Sequence, residues 1–154
     1  GNMSTSLYTD IKLRIDAHEK IPKDAGTLMQ DHLLQLVDTW LPADADVWFA
    51  VNSNVDGSPA AIDTGAVSGQ SFGAATFNSV SLIAIWNKSV DTGNVLEVSY
   101  DGAWAGSSLH TRKVYPNGAT VWYSPIDTIG TGILSIDPGI NTIDYELLII
   151  GNSV

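Results

Sequence analysis

The chain has 154 residues, of which 44% are hydrophobic, and it contains 7 basic against 17 acidic residues, for a formal net charge of −10. This length and apolar fraction are enough for one domain with a buried core. The negative charge repels nucleic-acid phosphates and anionic lipids, so we expect no nucleic-acid partner. The chain has no cysteine, which excludes disulfides and thiolate metal sites.

The first residues carry no signal for export or membrane insertion. Polar residues at the start are followed by an amphipathic segment, without the basic and apolar regions of a signal peptide. No apolar run approaches the roughly 18 residues that a membrane span needs. We therefore expect a protein that is made in the cytoplasm and is not inserted into a membrane.

A first short helix is predicted at residues 6–18. Leu7, Ile11 and Ile15 recur at every fourth position, which places them on one face of a helix. Ser6 is a suitable N-cap because its hydroxyl can accept a bond from a backbone N–H of the first turn. Such a helix needs another part of the protein to cover its apolar face.

A second helix is predicted at residues 27–41. Thr27 and Gln30 have the spacing of a capping box, in which each side chain accepts a bond from the other residue's backbone N–H. Pro42 ends the helix. The apolar residues form a face that is wider than a coiled-coil seam. They are Met29, Leu33, Leu34, Leu36, Val37, Trp40 and Leu41.

From Val47 onward the pattern changes to short strands rich in β-branched and aromatic residues. The predicted strands are 47–52, 80–87, 95–100, 110–115, 120–124, 131–136 and 142–151. Asn117-Gly118 predicts a hairpin, and 52–73 is predicted as a long loop with one short strand. Turn signals about every ten residues favour an antiparallel β-sandwich or jelly roll. The expected fold is mainly β, with a helical assembly segment at 3–42 and a β-sandwich domain at 46–154.

The segment 52–63 resembles an EF-hand loop in its spacing. Its candidate calcium ligands are Asn52, Asn54, Asp56 and Asp63. Oxygen-bearing side chains at alternate positions, with a glycine for the sharp turn, can surround a hard cation. The first ligand is Asn rather than Asp, the last is Asp rather than the longer Glu, and no helices flank the loop. An Asx-rich turn is the favoured interpretation, so no cofactor is expected and calcium is the alternative.

Aromatic residues indicate an alternative role as a carbohydrate-binding module. Trp104 follows a predicted Asp-Gly turn and is expected to be exposed, whereas Trp86 and Trp122 lie in apolar strands and are expected in the core. An exposed ring can stack on the apolar side of a sugar, and polar neighbours can hold its hydroxyls. Tyr100 and Asp101 would complete this ligand-binding surface.

No residue pattern predicts an enzyme. The 3 histidines are scattered without metal-ligand spacing, and none accompanies a G-x-S-x-G nucleophile motif. Most acidic residues occur in turn-like contexts, where Asp commonly bonds to its own backbone. A small glycoside hydrolase with two carboxylates remains the enzymatic alternative.

The segment 8–41 resembles part of the virion proteins of tailed phages and prophages, where a Tyr-x-x-Ile-Lys-x-x-Ile pattern precedes a capped helix. The matching residues are Tyr8, Ile11, Lys12, Ile15, Thr27, Leu33, Leu34, Val37, Asp38, Thr39 and Leu41. The resemblance implies a non-enzymatic virion appendage, such as a head fibre, tail fibre or baseplate component, made in the host cytoplasm. It implies a homotrimer that contacts other virion proteins and uses its β domain for surface or receptor contact, including a host-surface glycan.

A wide apolar helix face would then be covered partly by sister copies. The helices of a trimer would form a short bundle below the β domains, although the heptad pattern is too short for a coiled coil. The expected oligomer interface is Met29, Leu33, Leu34, Val37, Trp40 and Leu41. The alternative is a monomer, in which the helix covers one end of its own β domain.

Overall fold

The computed structural model describes residues 6–23, 26–67, 76–102, 110–124 and 128–154, apart from the side chains of residues 19, 21–23, 26–32 and 110. The described residues form eleven β-strands and contain no helix. The strands are β1 (Thr9–Lys23), β2 (Gly26–Trp40), β3 (Val47–Asp56), β4 (Ala60–Asp63), β5 (Phe77–Asn87), β6 (Leu96–Tyr100), β7 (His110–Val114), β8 (Ala119–Tyr123), β9 (Ile129–Gly130), β10 (Ile133–Asp137) and β11 (Thr142–Ser153). In this part of the chain, no helix could cross a membrane.

β1 and β2 pair with each other as a two-stranded antiparallel sheet, which we call the ribbon. The register places Thr9 opposite Trp40, Leu13 opposite Leu36 and Lys23 opposite Gly26. Each strand has 15 residues. At about 3.3 Å per residue, the ribbon is about 50 Å long.

The prediction of two N-terminal helices is wrong, because both segments lie almost entirely in β1 and β2. Ile11, Leu13 and Ile15 alternate with polar residues, which is the period of a strand. The every-fourth spacing that indicated a helix is a multiple of this period, so it fits a strand equally well. Thr27 and Gln30 lie within β2, so no helix begins at Thr27.

The strands β3 to β11 form what we call the body. β4, β10, β6 and β7 form a four-stranded sheet in that order, and β3, β11, β5 and β8 form a second sheet in which β9 also pairs with β5. Every strand pair described is antiparallel. The predicted mainly β fold with antiparallel sheets is therefore confirmed.

The two larger sheets share one hydrophobic cluster. Ile83 of β5 and Ile149 of β11 contribute to it from one sheet, and Val98 of β6 and Leu134 of β10 contribute from the other. Trp122 is also buried in this cluster, as expected from its apolar strand. Burying a side chain of this kind stabilises the fold by roughly 1.5–3 kcal/mol, so this cluster holds the body together.

The turn predicted at Asn117-Gly118 is present, but it joins two different sheets. Asn117 has a left-handed φ of 59°, and the Gly118 N–H donates to the Tyr115 carbonyl oxygen at 2.8 Å. β7 before the turn pairs with β6, whereas β8 after it pairs with β5. The predicted hairpin is wrong because the strands on either side pair with different strands in different sheets.

A substitution at Gly151 of β11 tests how closely β11 approaches its neighbouring strand β5. The register of this pair shifts at Gly151, and a Cβ there would collide with the backbone oxygen of Ser79. We expect Gly151→Ala to lower the free energy of unfolding by about 1–3 kcal/mol, measured by denaturant unfolding.

Gly65→Ala is the matched control for this substitution. A Cβ at Gly65 meets its nearest neighbours at 3.4 Å, which is ordinary contact. We expect this variant to stay within about 0.5 kcal/mol of the wild type. Equal losses in the two variants would contradict the close approach of β5 to β11.

Candidate functional site

The ribbon is attached to the body near one of its ends. Trp40, the last residue of β2, is buried with Ala45, Leu82 and Ile150 in a second hydrophobic cluster. Its ring stacks on the ring of Tyr123, with centroids 5.7 Å apart and planes within 2° of parallel. We call this set of contacts the junction.

The junction covers one part of the outer face of the sheet that contains β3, β11, β5 and β8. In that sheet Ile150 lies opposite both Trp48 and Leu82, and Leu82 lies opposite Tyr123. These residues alternate along their strands with core residues such as Ile83, so they point away from the core. The junction therefore fixes the ribbon to a single row of residues across the sheet.

A carboxylate joins the ribbon to the body within the junction. Asp38 of β2 accepts hydrogen bonds from the Tyr123 hydroxyl and from Trp40 Nε1, the latter at 2.9 Å. The Tyr123 bond is the largest cause that holds the pKa of Asp38 below its usual value. Burial, followed by the bond to Asp38 and its charge, raises the pKa of Tyr123 to about 12.

The connection between β2 and β3 is also fixed to the body. Asp44 Oδ2 accepts a bond from the Leu41 N–H at 2.9 Å and closes a tight turn. Asp46 accepts two bonds from Ser153 of β11, one from its N–H and one from its hydroxyl, each at 2.7 Å. The base of the ribbon is thus held by polar contacts as well as by the Trp40 ring.

The ribbon has one face that is rich in aliphatic side chains. Residues opposite each other in a sheet point to the same side, and the register pairs Leu13 with Leu36 and Ile15 with Leu34. We call these residues, together with Ile11, the apolar face of the ribbon. Leu13, Ile15 and Leu34 are 50%, 53% and 54% exposed, respectively. Trp40 lies on the same side as these residues. Because Trp40 and Ile11 pack in the junction, this side is covered near the body, and it is half exposed at Leu13, Ile15 and Leu34.

The opposite face of the ribbon is mixed in character. On β1 it carries Lys12, Arg14 and Asp16, and Arg14 Nε donates to Asp16 Oδ2 at 2.8 Å. On β2 it carries Leu33 and Val37, which are exposed. The charged residues of β1 make this face compatible with water.

Strand alternation divides the residues that were predicted to form one interface. Leu34 and Trp40 lie on the apolar face, whereas Leu33 and Val37 lie on the opposite face. Leu41 follows β2 and is exposed. The prediction of a single helical face is wrong for this reason, although the interface itself stays a prediction. Met29 lies on β2, and its side chain is outside the described part.

A groove of about 590 Å³ lies on the same outer sheet face, next to the junction. Its wall residues on that face include Trp48, Ala50, Ala84, Trp86, Val121 and Leu148. Trp86, Val121 and Leu148 are 40%, 49% and 37% exposed, respectively. The prediction that Trp86 lies in the core is wrong, because it occupies an outward position of β5.

The polar rim of the groove is formed by hydrogen-bonding side chains. Trp86 Nε1 donates to Asn117 Oδ1 at 3.3 Å, and the Lys88 ammonium lies 5.7 Å from the Trp86 ring centroid. Asn52 Nδ2 donates to Glu146 Oε1 at 3.3 Å. The groove is therefore apolar along its floor and polar at one end.

The residues predicted to bind a sugar are not arranged as an open platform in the described structure. Tyr100 is buried, and its hydroxyl donates to the Gly130 carbonyl oxygen. Burial is the main cause that raises the pKa of Tyr100. Asp101 is exposed and accepts a bond from the Ile133 N–H. Trp104 lies outside the described residues, so its binding role stays a prediction.

The predicted calcium ligands lie on an extended strand rather than in a loop. Asn52, Asn54 and Asp56 occupy alternate positions of β3, which separates successive side chains by about 6.6 Å. Asp56 Oδ1 accepts a bond from the Thr142 hydroxyl at 2.5 Å. Asp63 ends β4. Within the described ranges, no group of three or more His, Asp or Glu residues is placed to hold a metal ion.

Comparison with protein families, curated proteins and solved structures finds no match for this chain. The junction and the groove are therefore interpreted from their own geometry. The sequence indicates the junction and the groove through apolar residues at the outward positions of two strands. Leu82, Ala84 and Trp86 on β5, like Leu148 and Ile150 on β11, are apolar where a strand facing water would be polar.

The Tyr123 hydroxyl gives the junction a dependence on alkaline pH. Unfolded chains lose the tyrosine proton near pH 10, and the folded protein keeps it until about pH 12. Between these values the folded state binds more protons, so stability is complete below about pH 10 and falls as pH rises. We expect the Tm to fall between about pH 10 and pH 12, and to fall less steeply in Tyr123→Phe.

Tyr115→Phe is the control for this pH profile, because Tyr115 is exposed. Thermal unfolding of the three proteins across this pH range makes the comparison. Profiles for Tyr123→Phe and the wild type that run parallel through the alkaline range would contradict the role of the Tyr123 hydroxyl.

Proposed function

We propose that this protein is a non-enzymatic structural component of a phage-like virion appendage. In this proposal it assembles as a homotrimer through the ribbon, and the two larger sheets of the body face each other as a β-sandwich for surface or receptor contact. The observation that carries the assembly role is the apolar face of the ribbon, which is at least half exposed at Leu13, Ile15 and Leu34.

The physical reason is that a two-stranded ribbon has little stability in water by itself. Ordering each backbone residue costs roughly 1–2 kcal/mol. Covering the exposed half of a large aliphatic side chain returns about 1 kcal/mol. The contacts of the junction support only the base of the ribbon. A partner that covers the apolar face therefore supplies stabilisation that the outer part of the ribbon lacks.

The virion setting rests on the resemblance of residues 8–41 to a segment of phage virion proteins, in which the capped helix of that pattern is a strand here. The matching residues Ile11, Ile15, Leu34 and Asp38 lie on the ribbon rather than on helices. The assembly role is therefore carried by the ribbon, and the resemblance contributes the setting alone. Other virion proteins are the further partners that this setting implies.

Light scattering coupled to size-exclusion chromatography tests the assembly role. We expect a trimer for the wild type at micromolar concentration. Leu34→Lys places a charge on the apolar face, and leaving that charge unpaired at an interface costs about 3 kcal/mol, or roughly a hundredfold in association. We therefore expect this variant to be monomeric at the same concentration.

Gln35→Lys is the matched control. It introduces the same side chain at the next residue, on the opposite face of the ribbon. We expect it to remain a trimer. A wild-type protein that is monomeric at micromolar concentration would overturn the assembly role.

Carbohydrate binding is a second candidate function, favoured by the half-exposed ring of Trp86 beside Asn52 and Glu146. A ring next to hydrogen-bonding side chains can hold a sugar.

A glycan array with the wild type, Trp86→Ala and Trp104→Ala tests carbohydrate binding. Binding lost in Trp86→Ala would support the groove as the sugar site, and binding lost only in Trp104→Ala would support the surface predicted from the sequence. No binding by the wild type would remove this candidate.

A further inference from the structure

We propose that the apolar face of the ribbon from one copy lies in the groove of a second copy of this chain. This inference rests on the proposed assembly role and names the surface that receives the ribbon. The partner is thus another molecule of the same protein, and the contact joins two different surfaces, the ribbon and the outer sheet face.

These two surfaces already fit each other within one chain. At the junction, Trp40 and Ile11 of the ribbon pack on Leu82 and Ile150 of the outer sheet face. The apolar face of the ribbon continues beyond Ile11, and the sheet face continues into the groove. Trp48 and Ala84 belong to both the junction cluster and the groove wall. The proposed contact extends a contact that the fold makes by itself.

One copy leaves part of the ribbon and part of the groove exposed. Leu13, Ile15 and Leu34 on the ribbon are half exposed, and so is Val121 in the groove. Exposed aliphatic patches of this kind mark interaction sites. One chain contains both patches and covers neither of them. The ribbon patch of one copy can therefore cover the groove patch of the next copy.

The two surfaces also match in layer arrangement. The ribbon is a single two-stranded layer, and the groove lies on a sheet, so they can stack as two sheet layers about 10 Å apart. Ala84 gives the groove a low floor beside the larger Val121 and Leu148. Long aliphatic side chains such as Ile15 and Leu34 can fill the space above a small residue of this kind.

The distribution of charge also favours contact between ribbon and body over contact between two bodies. The strands of the ribbon carry four basic and five acidic residues, whereas residues 41–154 carry three basic and eleven acidic residues. Glu146 lines the groove, and Asp144 lies further along the outward side of β11. The nearly neutral ribbon is therefore repelled less by a negatively charged body than a second body would be.

The contact is heterologous, because each copy gives one ribbon and receives one. Such contacts form a closed ring when the rotation between copies is right, and a trimer is the ring expected here. The apolar face of every ribbon and every groove are then occupied.

Cross-linking tests the inference, and the natural absence of cysteine makes it specific. Leu34→Cys and Val121→Cys are produced as separate chains of different size, co-expressed and treated with a short flexible bismaleimide. We expect a cross-linked product that contains one chain of each kind. Gln35→Cys with Val121→Cys is the control, because Gln35 points away from the apolar face. We expect loss of the mixed product in this control.

The outcomes separate the inference from the proposed function. A trimer by light scattering, with no more mixed product for Leu34→Cys than for Gln35→Cys, would overturn the ribbon-in-groove contact and leave the assembly role standing. A monomeric protein would overturn both. A glycan that binds at Trp86 of the trimer, with no more mixed product for Leu34→Cys than for Gln35→Cys, would assign the groove to a sugar and overturn the inference as well.

Discussion

A ribbon of two strands has only one layer, so its aliphatic face has to be covered by another part of the protein or by another molecule. In this chain the register of β1 against β2 places Ile11, Leu13 and Ile15 on the same side as Leu34 and Trp40. Among the described side chains of this side, Trp40 and Ile11 pack against the body. The apolar face is half exposed at Leu13, Ile15 and Leu34. The proposed assembly and the proposed use of the groove both follow from this uncovered aliphatic surface.

The contacts of the junction fix the direction in which the ribbon leaves the body. Stacking of Trp40 on Tyr123 fixes the ribbon across the sheet, and Asp38 links the two aromatic residues through its hydrogen bonds. The bonds from Ser153 to Asp46 hold the connection that follows β2. A ribbon held at its base by aromatic stacking, a carboxylate and a tight turn presents its apolar face in one direction, which a defined contact with a neighbour requires.

The sequence predicted the body better than the ribbon for a physical reason. Strands such as β5 and β11 are short runs rich in β-branched and aromatic residues, so each can be recognised from its own segment. In the ribbon, an every-fourth spacing fits a helix and a strand equally, and Leu13 between Ile11 and Ile15 was the residue that favoured the strand. Along β2, Leu33, Leu34, Leu36 and Val37 fit one side of a helix but fall on both faces of a strand, so only pairing with β1 makes this segment a strand.

The candidate site was less predictable because it is made by neighbours across strands. Ala84, Val121 and Leu148 come from three strands, and the groove exists only once their order in the sheet is known. The turn at Asn117 was readable from the sequence, but the sheet that each flanking strand joins was not. Local signals thus predicted turns and strands, while long-range pairing determined which apolar positions stayed exposed.

Amide hydrogen exchange measured over a range of protein concentrations tests the central claim most directly. If sister copies cover the apolar face, protection of the amides at Leu13, Ile15 and Leu34 rises with concentration, while protection at core residues such as Ile83 and Ile149 stays constant. Ribbon amides that exchange at the same rate at every concentration would contradict the claim that another copy covers this face.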